Sequence, residues 1–260
     1  MPAHDRISAA LEAANADGRT ALVPFLTAGY PARERFLDDL CAVAAVGDVV
    51  EIGVPFSDPM ADGLTIQRSS HAAIANGVSL RWIFDELDKL GGDPGAPLVM
   101  MSYLNPLLAF GYAALAARAV AAGVCAFIVP DLPYEESDEL RAALDAEGLG
   151  LIQLVTPATP PPRLERLAAA SRGFLYAVTI TGITGGDGGL PDDLAQYLDR
   201  VTAVSTLPVC AGFGIRSQAD VENVGRHVSG AIVGSALVEI LERGGDPAAF
   251  LRGLRGRRVA

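Results

Sequence analysis

The sequence predicts a closed (β/α)8, or TIM, barrel, and three observations carry that reading. Eight short apolar runs alternate with longer helix-period segments over 260 residues. The runs are largely continuous in hydrophobicity, as expected of parallel strands covered on both faces. No linker-like break divides them, and barrels of this kind routinely reach this length undivided, so residues 1–260 are read as a single domain. An open doubly wound sheet is the alternative, but its G-x-G-x-x-G signature after the first strand is missing.

The expected strands are ALVPFL (21–26), DVVEIG (48–53), PLVMMS (97–102), VCAFIV (124–129), GLIQLV (150–155), GFLYAV (173–178), LPVCAG (207–212) and GAIVGS (230–235). Helices are expected over 31–46, 79–90, 108–122, 135–147, 161–170, 191–204 and 217–225, with a C-terminal pair from about 236. In YAALAARAVAAG apolar residues recur at three and four, and Gly123 supplies a C-cap before the next strand. Two connections are long, at 53–78 and at 179–191. In a barrel both follow strand C-termini and so lie on the catalytic face. The second, TITGITGGDGGLP, holds five glycines and reads as a lid.

A formal charge of −11 argues against a nucleic-acid binder, because phosphate backbones are held by Lys/Arg-rich faces. Cys41, Cys125 and Cys210 lie far apart beside apolar residues and read as small buried hydrophobes, while His4, His71 and His227 are equally scattered, so no metal site is expected. The first twenty residues lack the apolar core of a signal peptide and no run reaches a membrane span, which predicts a soluble, cytoplasmic chain.

EIGVPFSDPMADG, residues 51–63, ends an apolar run in a carboxylate. Strand alternation puts Val49 and Glu51 on one face and Val50 and Ile52 on the other. Glu51 at the strand's C-terminal end therefore points into the barrel mouth as a catalytic group, or it caps backbone N–H groups of the following loop. Asp58 and Asp62 follow among prolines and glycines, where Asp commonly caps helices and turns, and Asp62 is also a catalytic candidate. After strands seven and eight, CAGFGIRS and GAIVGSALVEI place glycines where strand yields to helix. Backbone N–H groups of Gly212, Gly214, Gly234 and Ser235 there form anion nests, the recurring phosphate site of such barrels. Lys89 is the only lysine and sits in a helical pattern, so a Schiff-base mechanism is not expected. Carboxylate acid–base chemistry is what remains.

With LVPFLTAGYP, VVEIGVPFSDPMADG, MSYLNP, FIVPDLPYEE, LVTPATPPPRL, TGITG, AGFGI and GAIVGSALV in this order over nearly the whole chain, the sequence closely resembles the tryptophan synthase α-chain family. The resemblance implies a barrel that cleaves indole-3-glycerol phosphate to indole and glyceraldehyde 3-phosphate. It also implies an α2β2 assembly in which indole passes through a tunnel to a β chain carrying pyridoxal phosphate, with no cofactor in the α chain itself. By motif, the catalytic glutamate falls on Glu51 and its partner on Asp62. Tyr176 and Thr184 fall near the substrate, and phosphate contacts on Gly185, Gly214, Gly234 and Ser235. Asp58 falls in the loop resembling the β-chain contact, together with Asn105 and Pro106 of YLNP. Phe25, Tyr103, Leu104, Phe127 and Tyr176, on or just past strand ends, are expected to line a slot for the aromatic ring, with Phe213 closing it near the phosphate.

The expected chemistry has Glu51 protonating the indole carbon and receiving the hydroxyl proton, with its pKa lifted by apolar surroundings, while a charged Asp62 stabilises the ring N–H. Departures from the family are the glycine-rich GGDGGLPDDL after Thr184, and Ile180 where some members carry arginine. The glycines favour an open lid and predict weak activity without a partner to order it. A standalone indole-releasing lyase and a non-catalytic binding subunit are rival readings, and a sugar-phosphate isomerase is a third only if the resemblance is set aside.

Overall fold

All eight apolar runs form strands, and the strands close. The structure, a computed structural model, describes residues 1–179, 192–212 and 214–255. Strands β1 (Ala21–Thr27), β2 (Val50–Gly53), β3 (Leu98–Met101), β4 (Val124–Ile128), β5 (Gly150–Val155), β6 (Leu175–Val178), β7 (Val209–Gly212) and β8 (Gly230–Val233) pair in parallel in sequence order, and β8 returns to β1 through Ala21↔Gly230 to Pro24↔Val233. Most strands are shorter than their apolar runs. At β2, Asp48 is no strand residue: its carboxylate accepts the Leu22 N–H at 2.8 Å and an Arg19 hydrogen bond at 3.2 Å.

Around the barrel run α1 (Asp5–Ala16), α2 (Phe36–Ala44), α3 (Leu64–Ala75), α4 (Leu80–Leu87), α5 (Leu104–Phe110), α6 (Tyr112–Ala121), α7 (Asp138–Ala146), α8 (Pro161–Ala170), α9 (Asp192–Val204), α10 (Gln218–Gly225), α11 (Ser235–Glu242) and α12 (Pro247–Leu254). Inward side chains such as Val23, Val49, Val99, Ile128, Ile152 and Cys210 fill the barrel, whereas Val50, Ile52 and Phe127 belong to the layer between barrel and helices. Apolar area removed from water in both layers is the main stabilising term.

Four features depart from the sequence reading. Helix α1 was not anticipated; it buries Ile7, Leu11 and Ala14 together with the barrel interior, closing the N-terminal end. Glycines make room for it. A Cβ on Gly173 would meet Ile7 at 3.2 Å, and one on Gly150 would meet His4 at 2.9 Å. The connection 53–78 is only partly a loop, because 64–75 is helix α3 with Ser69, Ser70 and Ala73 buried. The stretch expected as one helix over 108–122 is two, α5 and α6, meeting at 94° where Gly111 takes a φ of +86°. Finally, Cys41 is exposed on α2, whereas Cys125 and Cys210 are buried.

Among the described residues no single helix is long and apolar enough to cross a membrane; the bent pair α5–α6 passes by length and composition only.

Candidate active site

The face carrying the strand C-termini holds a cavity of about 280 Å³, and Glu51 opens onto it. Strand alternation sends Val49 into the barrel interior and Glu51, one pleat further on, into this mouth. The carboxyl is 1 % exposed, and its Oε2 has no hydrogen-bond partner among the described residues. Burial, reinforced by the nearby negative charge of Asp62, raises its pKa from 4.5 to about 8. At neutral pH Glu51 therefore carries a proton.

Asp62 lines the same cavity, and its pKa is raised too. Burial raises its pKa, but a hydrogen bond from Tyr103 opposes the rise. The Tyr103 hydroxyl donates to Asp62 Oδ2 at 3.0 Å and accepts from the Ala61 N–H at 2.9 Å. Asp62 does not cap α3; that position is Gly63, without a side-chain cap. Its carbonyl instead accepts from Gln67 Nε2 at 2.8 Å, and Phe56, earlier in the same loop, exchanges hydrogen bonds with Ser70 Oγ at 2.7 and 3.0 Å. The loop 54–63 is thus fastened to the helix that follows it.

Phe25 and Tyr176 line the cavity, together with Gly212, Gly214, Gly234 and Ser235. Tyr103 reaches it through an adjoining space of about 20 Å³ shared with Phe25, Met101 and Asp62. Phe127 does not reach it. Its ring is fully buried in the outer layer, because the β3–β4 register shifts between Leu98 and Val99 and the inward positions of β4 go to Ala126 and Ile128. Thr184, Gly185, Ile180 and Phe213 lie outside the described residues.

Ile66, Met101, Val178, Thr179, Ile215 and Ile232 also line the cavity and were not singled out in the sequence. Met101 was the most accessible to pattern reasoning, being the inward residue after Val99 on β3. Thr179 was not, since its role depends on a hydrogen bond to the Gly212 carbonyl across strands, at 2.8 Å.

The anion end is built from backbone. Gly214 has φ +66°, and Gly234 is the N-cap of α11, so the N-terminus of that helix lies where Gly234 and Ser235 line the cavity. The nearby guanidinium of Arg216 is occupied by Glu239 through hydrogen bonds of 2.9 and 2.8 Å. Helix dipole and amides, with the Ser235 hydroxyl, are left to hold an anion here. Lys89 lies in the short helical turn 88–90 after α4, is not among the residues lining the cavity, and pairs with Glu86 at 2.6 Å. Among the described residues no group of three His, Cys, Asp or Glu side chains is placed to hold a metal.

Residues 11–251 match the family model described as Tryptophan synthase alpha chain. The chain belongs to the tryptophan synthase alpha chain family. It is 44% identical over 248 residues to the tryptophan synthase alpha chain of Nitratidesulfovibrio vulgaris, covering 95% of this chain and 96% of that one. To the tryptophan synthase alpha chain of Roseiflexus castenholzii it is 46% identical over 260 residues, covering 96% and 99%. Among solved structures it superposes on tryptophan synthase from M. tuberculosis with TM-score 0.86 at 35% identity, covering 96% of each chain. On the alpha chain from Legionella pneumophila the TM-score is 0.85 at 31% identity, with 98% and 96% covered. Membership makes the chain an enzyme subunit of tryptophan biosynthesis, a lyase on a TIM barrel.

Asp58 is exposed in the 54–63 loop, where its carboxylate accepts from Ser57 Oγ at 2.5 Å. Asn105 and Pro106 lie in the first turn of α5, exposed and half-buried. The Tyr103–Asp62 contact brings these two segments together at one side of the mouth.

Proposed function

We propose that this site, on a single (β/α)8 domain, cleaves indole-3-glycerol phosphate to indole and glyceraldehyde 3-phosphate by carboxylate acid–base chemistry. The observation that carries the reading is the buried, protonated Glu51 facing a cavity across from a hydrogen-bonded Asp62.

Glu51 delivers its proton to the ring carbon that bears the glycerol side chain. The ring becomes an indolenine, and its N–H gains positive charge opposite the Asp62 carboxylate. Rupture of the carbon–carbon bond returns the electron pair to the ring and frees indole. The side-chain hydroxyl becomes the aldehyde, and its proton goes back to the Glu51 carboxylate, so no net proton is consumed. Phe25 and Tyr176 hold the ring. Tyr103 adjoins this slot, while Phe127, being in the outer layer, has no part in it. Gly214, Gly234 and Ser235 hold the phosphate, with Gly185 assigned by motif to the same end and Thr184 assigned by motif to the substrate beside it.

We assign Asp58, Asn105 and Pro106 to contact with a β chain in an α2β2 assembly of the cytoplasm, the β chain holding pyridoxal phosphate. Two apolar side chains beside Asp58 support a docking face there: Met60 is 89% and Leu64 81% exposed. The absence of any lysine other than Lys89 agrees with a cofactor held by the partner.

The test supplies the purified chain with indole-3-glycerol phosphate and records indole, alone and with the β chain. Slow release that rises sharply with the partner is expected. Fast release alone identifies a standalone lyase and overturns the partner dependence, while no release in either condition identifies a binding subunit and overturns the cleavage itself.

A further inference from the structure

We propose that Tyr103 is a positioning residue for the cleavage reaction, its hydroxyl fixing the Asp62 carboxylate to the end of β3 so that it stays opposite Glu51. The inference rests on the proposed lyase reading and reassigns Tyr103 from a wall of the ring slot to a bracket for the catalytic loop.

The geometry leaves the hydroxyl one arrangement. A backbone N–H can only donate, so the Ala61 amide at 2.9 Å takes a lone pair of the Tyr103 oxygen. The single phenolic proton is then free for Asp62 Oδ2 at 3.0 Å. A donor held towards a carboxylate favours its ionised form and restricts its rotation.

The ring is held as firmly as the hydroxyl. Tyr103 is buried and stacks on Phe56 at 4.9 Å between centroids and 21° between planes. Phe56 is gripped by Ser70 through both its N–H and its carbonyl, and Gln67 holds the Asp62 carbonyl. Asp62 is therefore fastened by its main chain from α3 and by its side chain from the end of β3.

Among the described residues no other side chain donates a hydrogen bond to the Asp62 carboxylate. Glu51 of β2 and Tyr176 of β6 share the cavity with it, and Cys210 of β7 lies close enough to Glu51 for their charges to interact. None of these is a cation, and no arginine or lysine is among the described residues lining the cavity. The Tyr103 hydroxyl is the donor that favours the charged form of Asp62 against the burial that raises its pKa.

The test is Tyr103→Phe, which keeps the ring and its stacking. Indole-3-glycerol phosphate cleavage is followed across pH in the parent and the variant, and the Asp62 carboxyl is titrated by 13C NMR in both. A fall in kcat/KM of about 10-fold or more is expected, mostly in kcat, as for loss of a hydrogen bond to a charged group. The acid limb of the pH profile and the Asp62 titration should both move to higher pH. In an Asp62→Asn background the same change should add little. A 3-fluorotyrosine at position 103, a stronger donor on an unaltered fold, should move the Asp62 titration the other way.

A variant with parental kcat/KM and an unmoved acid limb, or an Asp62 titration that ignores both changes, overturns the inference. A parent that releases no indole overturns the lyase reading instead, and the NMR titration then still decides the role of Tyr103.

Discussion

The ring of Phe25 occupies the space that a side chain on Gly53 would need. A Cβ built there would lie 2.3 Å from Phe25 Cζ and 2.6 Å from Cε2. Phe25 is the cross-strand partner of Glu51, two residues before that glycine, so the glycine of EIGVPF is required by the neighbouring strand. One wall of the substrate cavity thus depends on an absent side chain.

Gly53→Ala should push the Phe25 ring towards the cavity. A stability loss of about 1–3 kcal/mol is expected from overpacking, with a raised KM. Denaturant unfolding of Gly53→Ala, Phe25→Leu and the double variant checks it: the two changes should compensate each other, and strict additivity would count against the contact.

Glu51→Gln should stabilise the protein, and the gain should depend on pH with a definite sign. A carboxyl whose pKa rises from 4.5 to about 8 on folding contributes stability that is complete below 4.5 and is lost as pH rises through 8. The variant has no such loss. Parent and variant should unfold together in acid and separate as pH rises, by roughly 2–4 kcal/mol at the alkaline end. Thermal melts over that range measure the difference.

Much of this site was legible before any coordinates, for reasons that are local. Val49 and Glu51 share a face because strand period is two, and the glycines at 214 and 234 mark sites where backbone must turn. Phe127 failed for a physical reason: the β3–β4 register shift cannot be seen in one strand's alternation. The Tyr103–Asp62 bond joins residues 41 apart in sequence, and no local pattern announces it. Helix α1 was missed because its buried side, Ile7, Leu11 and Ala14, is narrow and surrounded by polar residues.

That helix gives a third prediction. Leu11 is fully buried in the interior cluster, so Leu11→Ala should cost about 2–5 kcal/mol. The exposed neighbour Glu12→Ala should stay within about 0.5 kcal/mol. Equal effects in urea titration would show that α1 does not plug the barrel.

The pH dependence of cleavage should be bell-shaped. Its alkaline limb should fall near 8, where Glu51 loses the proton it must deliver, and its acid limb should lie above 3.8, where Asp62 becomes neutral. A profile of kcat/KM still flat well above pH 8 would mean that Glu51 is not the acid.

Indole release by Glu51→Gln beside the parent, with the β chain present, tests the central claim most directly. Glutamine keeps the shape of the side chain and cannot supply the proton, so turnover should drop by about 100-fold or more, with the variant still folded and KM little changed. Turnover equal to the parent's would contradict the assignment of Glu51 as the catalytic acid.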